Sequence, residues 1–436
     1  MSSAVEVSRD VRESWAPTRT VRVALAGCGA VGSALLRELG VRRDSLERRH
    51  GKRVEVTRVL VRDLAKPRHS SVDLALLTAD LEDFLAWDAD VVIEAIGGIE
   101  PARRIAEWAL QGGRELVTAN KELLATHGTR LNALAQQYGG TLRYDAAVGG
   151  GVPVLRLLDD ALGAGTPASV RGILNGTTNF VLGRLERGSD LSEALEEARA
   201  RGFAETDASR DLDGRDAAAK IALVAWSAFG VAPETLDVAR RSLLPEPERY
   251  VRLAARLGGV VRQVAECALV EGKVIAGVEP VAVSPTGALG RVRDEQNHVE
   301  VHTGWSAPLT TSGPGAGGVP TATALLADFV CTARPADRHG DASSGAADPR
   351  AHDWAVEIVG SPRLLHRTVP KCGLVYTDHH AARAWTVARG LTSTDVDRIL
   401  DLLRANGGDG IALRLDEELF GDGGEVARAH RSEDAQ

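Results

Sequence analysis

At 436 residues the chain is too long for one hydrophobic core, so two or three domains are expected. With 44% hydrophobic and 26% charged residues it has a soluble, globular make-up, and its net charge of −8 leaves no basic footprint for nucleic acid. No stretch approaches the ~18 consecutive apolar residues of a membrane span, residues 1–19 read as a polar tail without a secretory core, and the four cysteines (Cys28, Cys267, Cys331, Cys372) show neither a CxxC pair nor metal spacing, which fits a reducing cytoplasm.

The first element pattern is TVRVALAGCGAVGSALLREL, a strand, a glycine turn and a helix. Gly27 permits the tight turn, Gly29 lets the backbone approach a pyrophosphate, and Gly32 lets the helix pack close to the strand. The helix start at Ala30 and Val31 then offers N–H groups and dipole to phosphates. This predicts a dinucleotide-binding domain of Rossmann type. A second strand, RVEVTRVLVRD, ends where such folds read the ribose: an acid for a hydroxyl or an Arg for a 2′-phosphate. Arg62 and Asp63 stand there together, with Lys66 and Arg68 behind. The local basic excess favours NADP over NAD, and a solvated turn of mixed charge is the competing reading.

Val91 to Ile93 form a short buried strand ending in the turn Ile96-Gly97-Gly98. A helix over 105–110 and a strand over 115–118 follow, the latter ending at Asn120-Lys121. Ligands of open α/β sheets bind outside the carboxyl ends of strands, so Lys121 stands where cofactor and substrate meet. The chain is rich in Arg and has only six lysines, at 52, 66, 121, 220, 273 and 371. A retained Lys therefore points to something Arg cannot supply, such as a tunable proton.

TLRYDAAVGGGVPVLRLLDD has a strand, then Gly149-Gly150-Gly151 before Pro153, then a helical run. Such a loop can coordinate a hard cation or a phosphate, or serve as a hinge between domains. VRGILNGTTNF reads as a strand entering a helix near Thr177-Thr178. Residues 260–283 and 297–303 look β-rich, and GPGAGGVPTATALLADFV, with Gly315, reads as a glycine turn opening an apolar helix. A linker is expected over 332–353. Beyond it the patterns suggest β, β, α, β, with Thr392 or Ser393 capping the helix and His379-His380 in a turn.

The stretch GFAETDASRDLDGRDAAAKIALVAWSAF, 202–229, poses the sharpest question. Between 216 and 229 the helix is apolar all round except for Asp216, Lys220 and one Ser. A helix without a polar face is buried, and buried charges need partners. An exposed i,i+4 pair, worth roughly 0.3–0.5 kcal/mol, is therefore the weaker account. A calcium loop counted from Asp207 also fails, because Leu212 and Ala218 occupy the positions that require Gly and Glu.

Taken in order, GCGAVG, IGGIEPAR, TANKELLA, DAAVGGGVP, GILNGTTNF, GFAETDASRDLDGRDAAAK and GPGAGGVPTA resemble homoserine dehydrogenase over about residues 20–331. The resemblance implies a dinucleotide-binding domain over 20–150 completed by 310–331, and a mixed α/β catalytic and dimerisation domain over 151–309. It also implies the reversible, NAD(P)H-dependent reduction of aspartate 4-semialdehyde to homoserine in threonine and methionine biosynthesis, by a cytoplasmic homodimer. Lys220 is then the catalytic acid/base, assisted by Lys121 and Asp216. Glu205, Asp211, Gly202, Thr177 and Asp216 would meet the substrate, an α-amino acid whose ammonium needs an acid. Gly27, Gly29, Ala30, Val31, Gly32, Arg62, Lys66, Ile96, Gly97, Lys121 and Gly315 would meet the cofactor. Asp145, Val148, Gly150 and Val152 match positions that bind a monovalent cation such as Na+, with Asp145 standing where Glu is usual. The small α+β region 354–436 would be a degenerate ACT-like domain or an unrelated appendage. The rival readings are a paralogue reducing a different amino-aldehyde and a non-catalytic nucleotide sensor. A cysteine-dependent semialdehyde dehydrogenase is disfavoured, since no cysteine falls at a catalytic strand end.

Overall fold

The computed structural model describes residues 19–162, 167–304, 306–331, 343–345, 348–359, 362–369, 372–378 and 383–420; the N-terminal tail, most of the expected linker and the His379-His380 pair lie outside the described residues. Six parallel strands, β1 (Arg19–Ala26), β2 (Lys52–Leu60), β3 (Leu77–Thr78), β4 (Val91–Glu94), β5 (Glu115–Thr118) and β6 (Thr141–Arg143), line up as β3-β2-β1-β4-β5-β6. This is the doubly wound order, which opens a crevice outside the carboxyl ends of β1 and β4. Helices α1 (Ala30–Val41), α2 (Arg43–His50), α3 (Leu81–Ala86), α4 (Ala102–Gln111) and α5 (Lys121–Tyr138) supply the crossovers. Strand alternation sets the layers. Val21, Val23 and Leu25 bury against Leu35, Leu39 and Phe329, while Ala24 and Ala26 face the opposite core with Ile105, Leu110 and Leu123.

Two short helices, α6 (Asp145–Val148) and α7 (Val154–Leu162), lead into the second half. It comprises β7 (Ser169–Ile173), α8 (Gly176–Glu186), α9 (Leu191–Ala200), α10 (Ser209–Leu212), α11 (Arg215–Phe229), β8 (Val238–Arg240), α12 (Pro247–Arg256), β9 (Val260–Val270), β10 (Lys273–Val283), β11 (Gln296–His302) and β12 (Leu309–Pro314). The sheet runs β12-β11-β7-β9-β10. β12 stays paired with β11, and the return to the first half begins with the next helix, α13 (Gly318–Val330), which packs on α1. Helix α11 is wedged between β9 and β10 on one side and α5, α6 and α7 on the other. All of its residues from Ala217 to Phe229 except Ala219 are buried, because both halves of the molecule cover it.

The C-terminal region differs from the expected β, β, α, β. It contains β13 (Ser343–Ser344), β14 (His352–Val359), α14 (Pro362–Thr368), β15 (Cys372–Asp378), β16 (Arg383–Leu391), α15 (Ser393–Ala405), β17 (Asp409–Leu415) and α16 (Glu417–Phe420). Sequence reading missed α14 and β15, seven residues each, whose segments PRLLHRT and CGLVYTD are too short to carry a clear period. The antiparallel order β17-β14-β16-β15 is a split βαβ arrangement. A parallel seam, Val281↔Arg414 and Ala282↔Leu415, joins it to the sheet β12-β11-β7-β9-β10. Thr392 caps α15, its hydroxyl accepting from the Asp395 N–H while the Asp395 side chain accepts in return. Among the described residues no helix is long and apolar enough to cross a membrane.

Candidate active site

The three glycines of the first turn differ in what surrounds them. Gly27 has φ +99°, and a Cβ there would lie 2.5 Å from the Ala95 carbonyl oxygen; at Gly32 it would lie 2.0 Å from that of Gly27. Gly29 faces open space, with nothing within 4 Å of a Cβ. The outer two thus hold strand, turn and helix together, and the middle one leaves room for a ligand's approach. Gly27 and Gly29 border a cleft of about 880 Å³ that is also lined by Arg62, Asp63, Lys66, Ile96 and Gly97. Among the described residues neither Arg62 nor Lys66 makes a side-chain hydrogen bond or ion pair, whereas Asp63 accepts from its own loop at Ala65 N (2.8 Å). Ala30 and Val31 open α1 beside the cleft, and the Ala30 carbonyl lies against Gly318.

The apolar helix carries its charged pair as expected, and a third member joins it. Lys220 Nζ lies 2.8 Å from Asp216 Oδ2, and Lys121 Nζ lies 2.9 Å from Oδ1. Lys121 opens α5, where the Asn120 side chain accepts from Leu123 N as N-cap. Lys220 also donates to the Leu174 carbonyl at the end of β7 (2.8 Å) and is almost enclosed, whereas the Lys121 side chain is 34% exposed. Burial alone would raise the Asp216 carboxyl. The charges and hydrogen bonds of Lys220 and Lys121 outweigh it and hold the group well below the ordinary carboxylate range. Burial would lower the Lys121 ammonium, and the opposing charge of Asp216 turns the net shift upward.

Asn175 was not singled out in the sequence, yet it organises this cluster. Its amide donates to Asp211 Oδ1 (2.7 Å) and to Asp216 Oδ2 (2.8 Å), while its oxygen caps α8 by accepting from Thr178 N (2.7 Å). Burial raises the Asp211 carboxyl, against the hydrogen bond from Asn175 and with the repulsion of Asp216. An Asn at the strand-to-helix junction LNGTT is a local N-cap signal, but its second use is tertiary. The Thr177 hydroxyl donates to the Phe203 carbonyl, which ties the 202–208 loop to α8. Gly202 takes the left-handed conformation there (φ +76°), and Glu205 is exposed, its carboxylate free of hydrogen bonds and ion pairs among the described residues.

The expected cation-binding residues are placed elsewhere, in a buried loop under α13. Asp145 accepts from Leu155 N (2.9 Å) and lies 3.1 Å from the Arg156 guanidinium, which also reaches Asp328 (3.0 Å). The carbonyls of Asp145 and Val152 accept from Gly149 N and Val154 N, and Val148 is fully buried. Gly150 (φ +59°) packs backbone to backbone on Gly315, itself wedged against Asn297. The acid expected to hold a cation is therefore already engaged by a guanidinium.

Two family models match the chain: the homoserine dehydrogenase NAD-binding domain over residues 27–145, and homoserine dehydrogenase over 153–330. The homoserine dehydrogenase of Bacillus subtilis is 34% identical, with 72% of each chain covered. The chain belongs to the homoserine dehydrogenase family. Homoserine dehydrogenase of Corynebacterium glutamicum is 36% identical, with 73% of each chain covered. The crystal structure of a homoserine dehydrogenase from Thiobacillus denitrificans superposes with a TM-score of 0.80 at 27% identity, covering 92% of this chain and 99% of that one. The Staphylococcus aureus homoserine dehydrogenase gives 0.72 at 26% identity, covering 92% and 99%. Family membership favours homoserine dehydrogenase over the amino-aldehyde paralogue and the nucleotide sensor.

Proposed function

We propose that the chain interconverts aspartate 4-semialdehyde and homoserine in threonine and methionine biosynthesis, with Lys220 as the proton-transfer group and NADP(H) as the preferred cofactor. The carrying observation is the Lys121–Asp216–Lys220 cluster, two ammoniums on one buried carboxylate. Reduction turns the aldehyde oxygen into an alkoxide, which needs a proton and a positive field as charge develops. The bound nicotinamide supplies the hydride. Lys220, held between Asp216 and the Leu174 carbonyl, donates the proton to that oxygen and retrieves it in the reverse direction. Asp216 fixes both ammoniums, and the partly exposed Lys121 steadies the developing charge. Asp211 and the outward Glu205 are the acids available to the substrate ammonium, and Thr177 and Gly202 shape the loop that carries Glu205.

Arg62 and Lys66, unengaged in the cofactor cleft, support a 2′-phosphate, whereas Asp63 is turned to its own loop. At the Asp145 loop Oδ1 accepts from Leu155 N, while the buried Oδ2 makes no hydrogen bond and has the Arg156 guanidinium 3.1 Å away, so a cation there would compete with that arginine; the proposed proton transfer needs none there. A cytoplasmic homodimer is read from the resemblance, with the exposed edge strand β12 available to a partner. The strand order of the C-terminal region supports the ACT-like reading of that unit.

The test is reduction of NADP+ and NAD+ with L-homoserine. NADP+ should be preferred, and Arg62→Ala should raise its KM roughly tenfold or more, as loss of a charge-assisted contact does, with NAD+ little affected. No turnover with either cofactor would overturn the reading.

A further inference from the structure

One buried acid has no part in the chemistry above. Glu94 ends β4 with no accessible surface, and among the described residues no cation forms an ion pair with it. Its Oε1 accepts from Ile96 N (2.8 Å), Gly97 N (3.3 Å) and the Asn120 amide (3.4 Å), and its Oε2 accepts from the Thr118 hydroxyl. The Asn120 amide also donates to the Gly98 carbonyl (2.6 Å), while the Asn120 oxygen caps α5 at Leu123 N (3.0 Å). One carboxylate thus gathers donors from the turn bordering the cofactor cleft, from the end of β5, and from the cap that starts the helix bearing Lys121. Burying a carboxyl without a countercharge is costly, and burial raises its pKa against these hydrogen bonds. An apolar residue would fill the strand end at less cost but would strand three donors, Ile96 N, Gly97 N and the Thr118 hydroxyl, and leave the Asn120 amide only the Gly98 carbonyl.

We propose that Glu94 is a positioning residue: it locks the cofactor-facing turn 96–98 and the start of α5 into one unit, so that seating the cofactor and aiming Lys121 at Asp216 are set together. The role of Lys121 rests on the proposed function; the link between turn and cap does not. The acceptor oxygen Oε1 is what the lock requires. Gln at 94 keeps that acceptor, and its amide faces the Thr118 hydroxyl, which can accept.

The experiment compares Glu94→Leu, Glu94→Gln and Asn120→Ala in the full chain. NADPH dissociation is measured by fluorescence and kcat with L-homoserine and NADP+. Glu94→Leu should weaken NADPH binding and lower kcat, each by roughly tenfold or more, the effect of stranded donors. Glu94→Gln should hold both within about threefold, and Asn120→Ala should lower kcat while leaving NADPH binding within about threefold. A merely structural residue would lower the melting temperature and leave these values and their split unchanged. The proposal is overturned if Glu94→Leu binds NADPH as wild type does, if Glu94→Gln is as impaired as Glu94→Leu, or if Asn120→Ala keeps full kcat. Should Glu94→Leu fail to fold, the other two variants still decide. Should wild type leave homoserine untouched, the proposed function fails while the NADPH-binding arm still tests the lock.

Discussion

Two buried charge clusters sit a short way apart, and their stoichiometry is inverted. Around Asp216 one carboxylate holds two ammoniums; around Arg156 one guanidinium holds two carboxylates, Asp145 and Asp328. Burial raises the carboxyl in both places, and the surroundings decide the outcome. Asp216 is driven well below the usual carboxylate range by its two cations. Asp328 is pushed up to about 7 by burial and by repulsion from Asp145, which the shared Arg156 offsets only in part. The lesson is that depth does not set the state of a buried acid; the local count of opposite charges does. In the proposed reaction the first cluster would present positive charge to the developing alkoxide. The second clamps α6, α7 and α13 together below the glycine loop.

The comparison breaks most visibly at Lys220. Lys220→Ala should lower kcat by a factor on the order of 10²–10⁴, the usual worth of a positioned proton donor, with far-UV circular dichroism unchanged; a smaller loss in steady-state assays would move the proton to another group. Asp216→Asn removes the charge that both ammoniums share. It should cost about 10²-fold in kcat, as loss of a charge-positioning group does.

The Asn variant also carries a pH signature. The folded pKa of Asp216 lies below the unfolded value of about 3.9, so the native state binds fewer protons than the unfolded one. Its contribution to stability is present above about pH 4 and lost as the pH falls through the folded value. Denaturant titrations at pH 3 to 6 should therefore show a steeper acid loss for wild type than for Asp216→Asn, and equal slopes would contradict the pairing. Arg156→Met tests the other cluster: leaving two buried carboxylates without their cation should cost about 3–5 kcal/mol, read by chemical denaturation. A loss under about 1 kcal/mol would mean the pair relaxes by another route.

Much of this was legible one element at a time. The glycine turn and strand alternation announced the first sheet, and the apolar helix with its lone Asp and Lys announced a buried pair. The same rule applied to ATALLADFV would have flagged Asp328, another lone acid in an apolar helix, and applied to VVIE would have flagged Glu94. Arg156 gave no such signal, because in an Arg-rich chain one more arginine at a helix start reads as solvated surface. The short α14 and β15 escaped because seven residues do not establish a period.

The sequence by itself determined that Asp216 and Lys220 would meet, since four residues along a helix place both on one face. It also determined that Gly27, Gly29 and Gly32 would build a tight turn between strand and helix, with Gly29 facing open space. Only the tertiary structure decided that Lys121 would close on Asp216, that Asn175 would hold Asp211 beside it, and that Arg156 would take the acid expected to hold a cation. The reason is range. Periodicity and spacing fix neighbours within a turn or a strand, whereas these partners meet only because α11 is buried between the two halves and α13 returns to the first sheet.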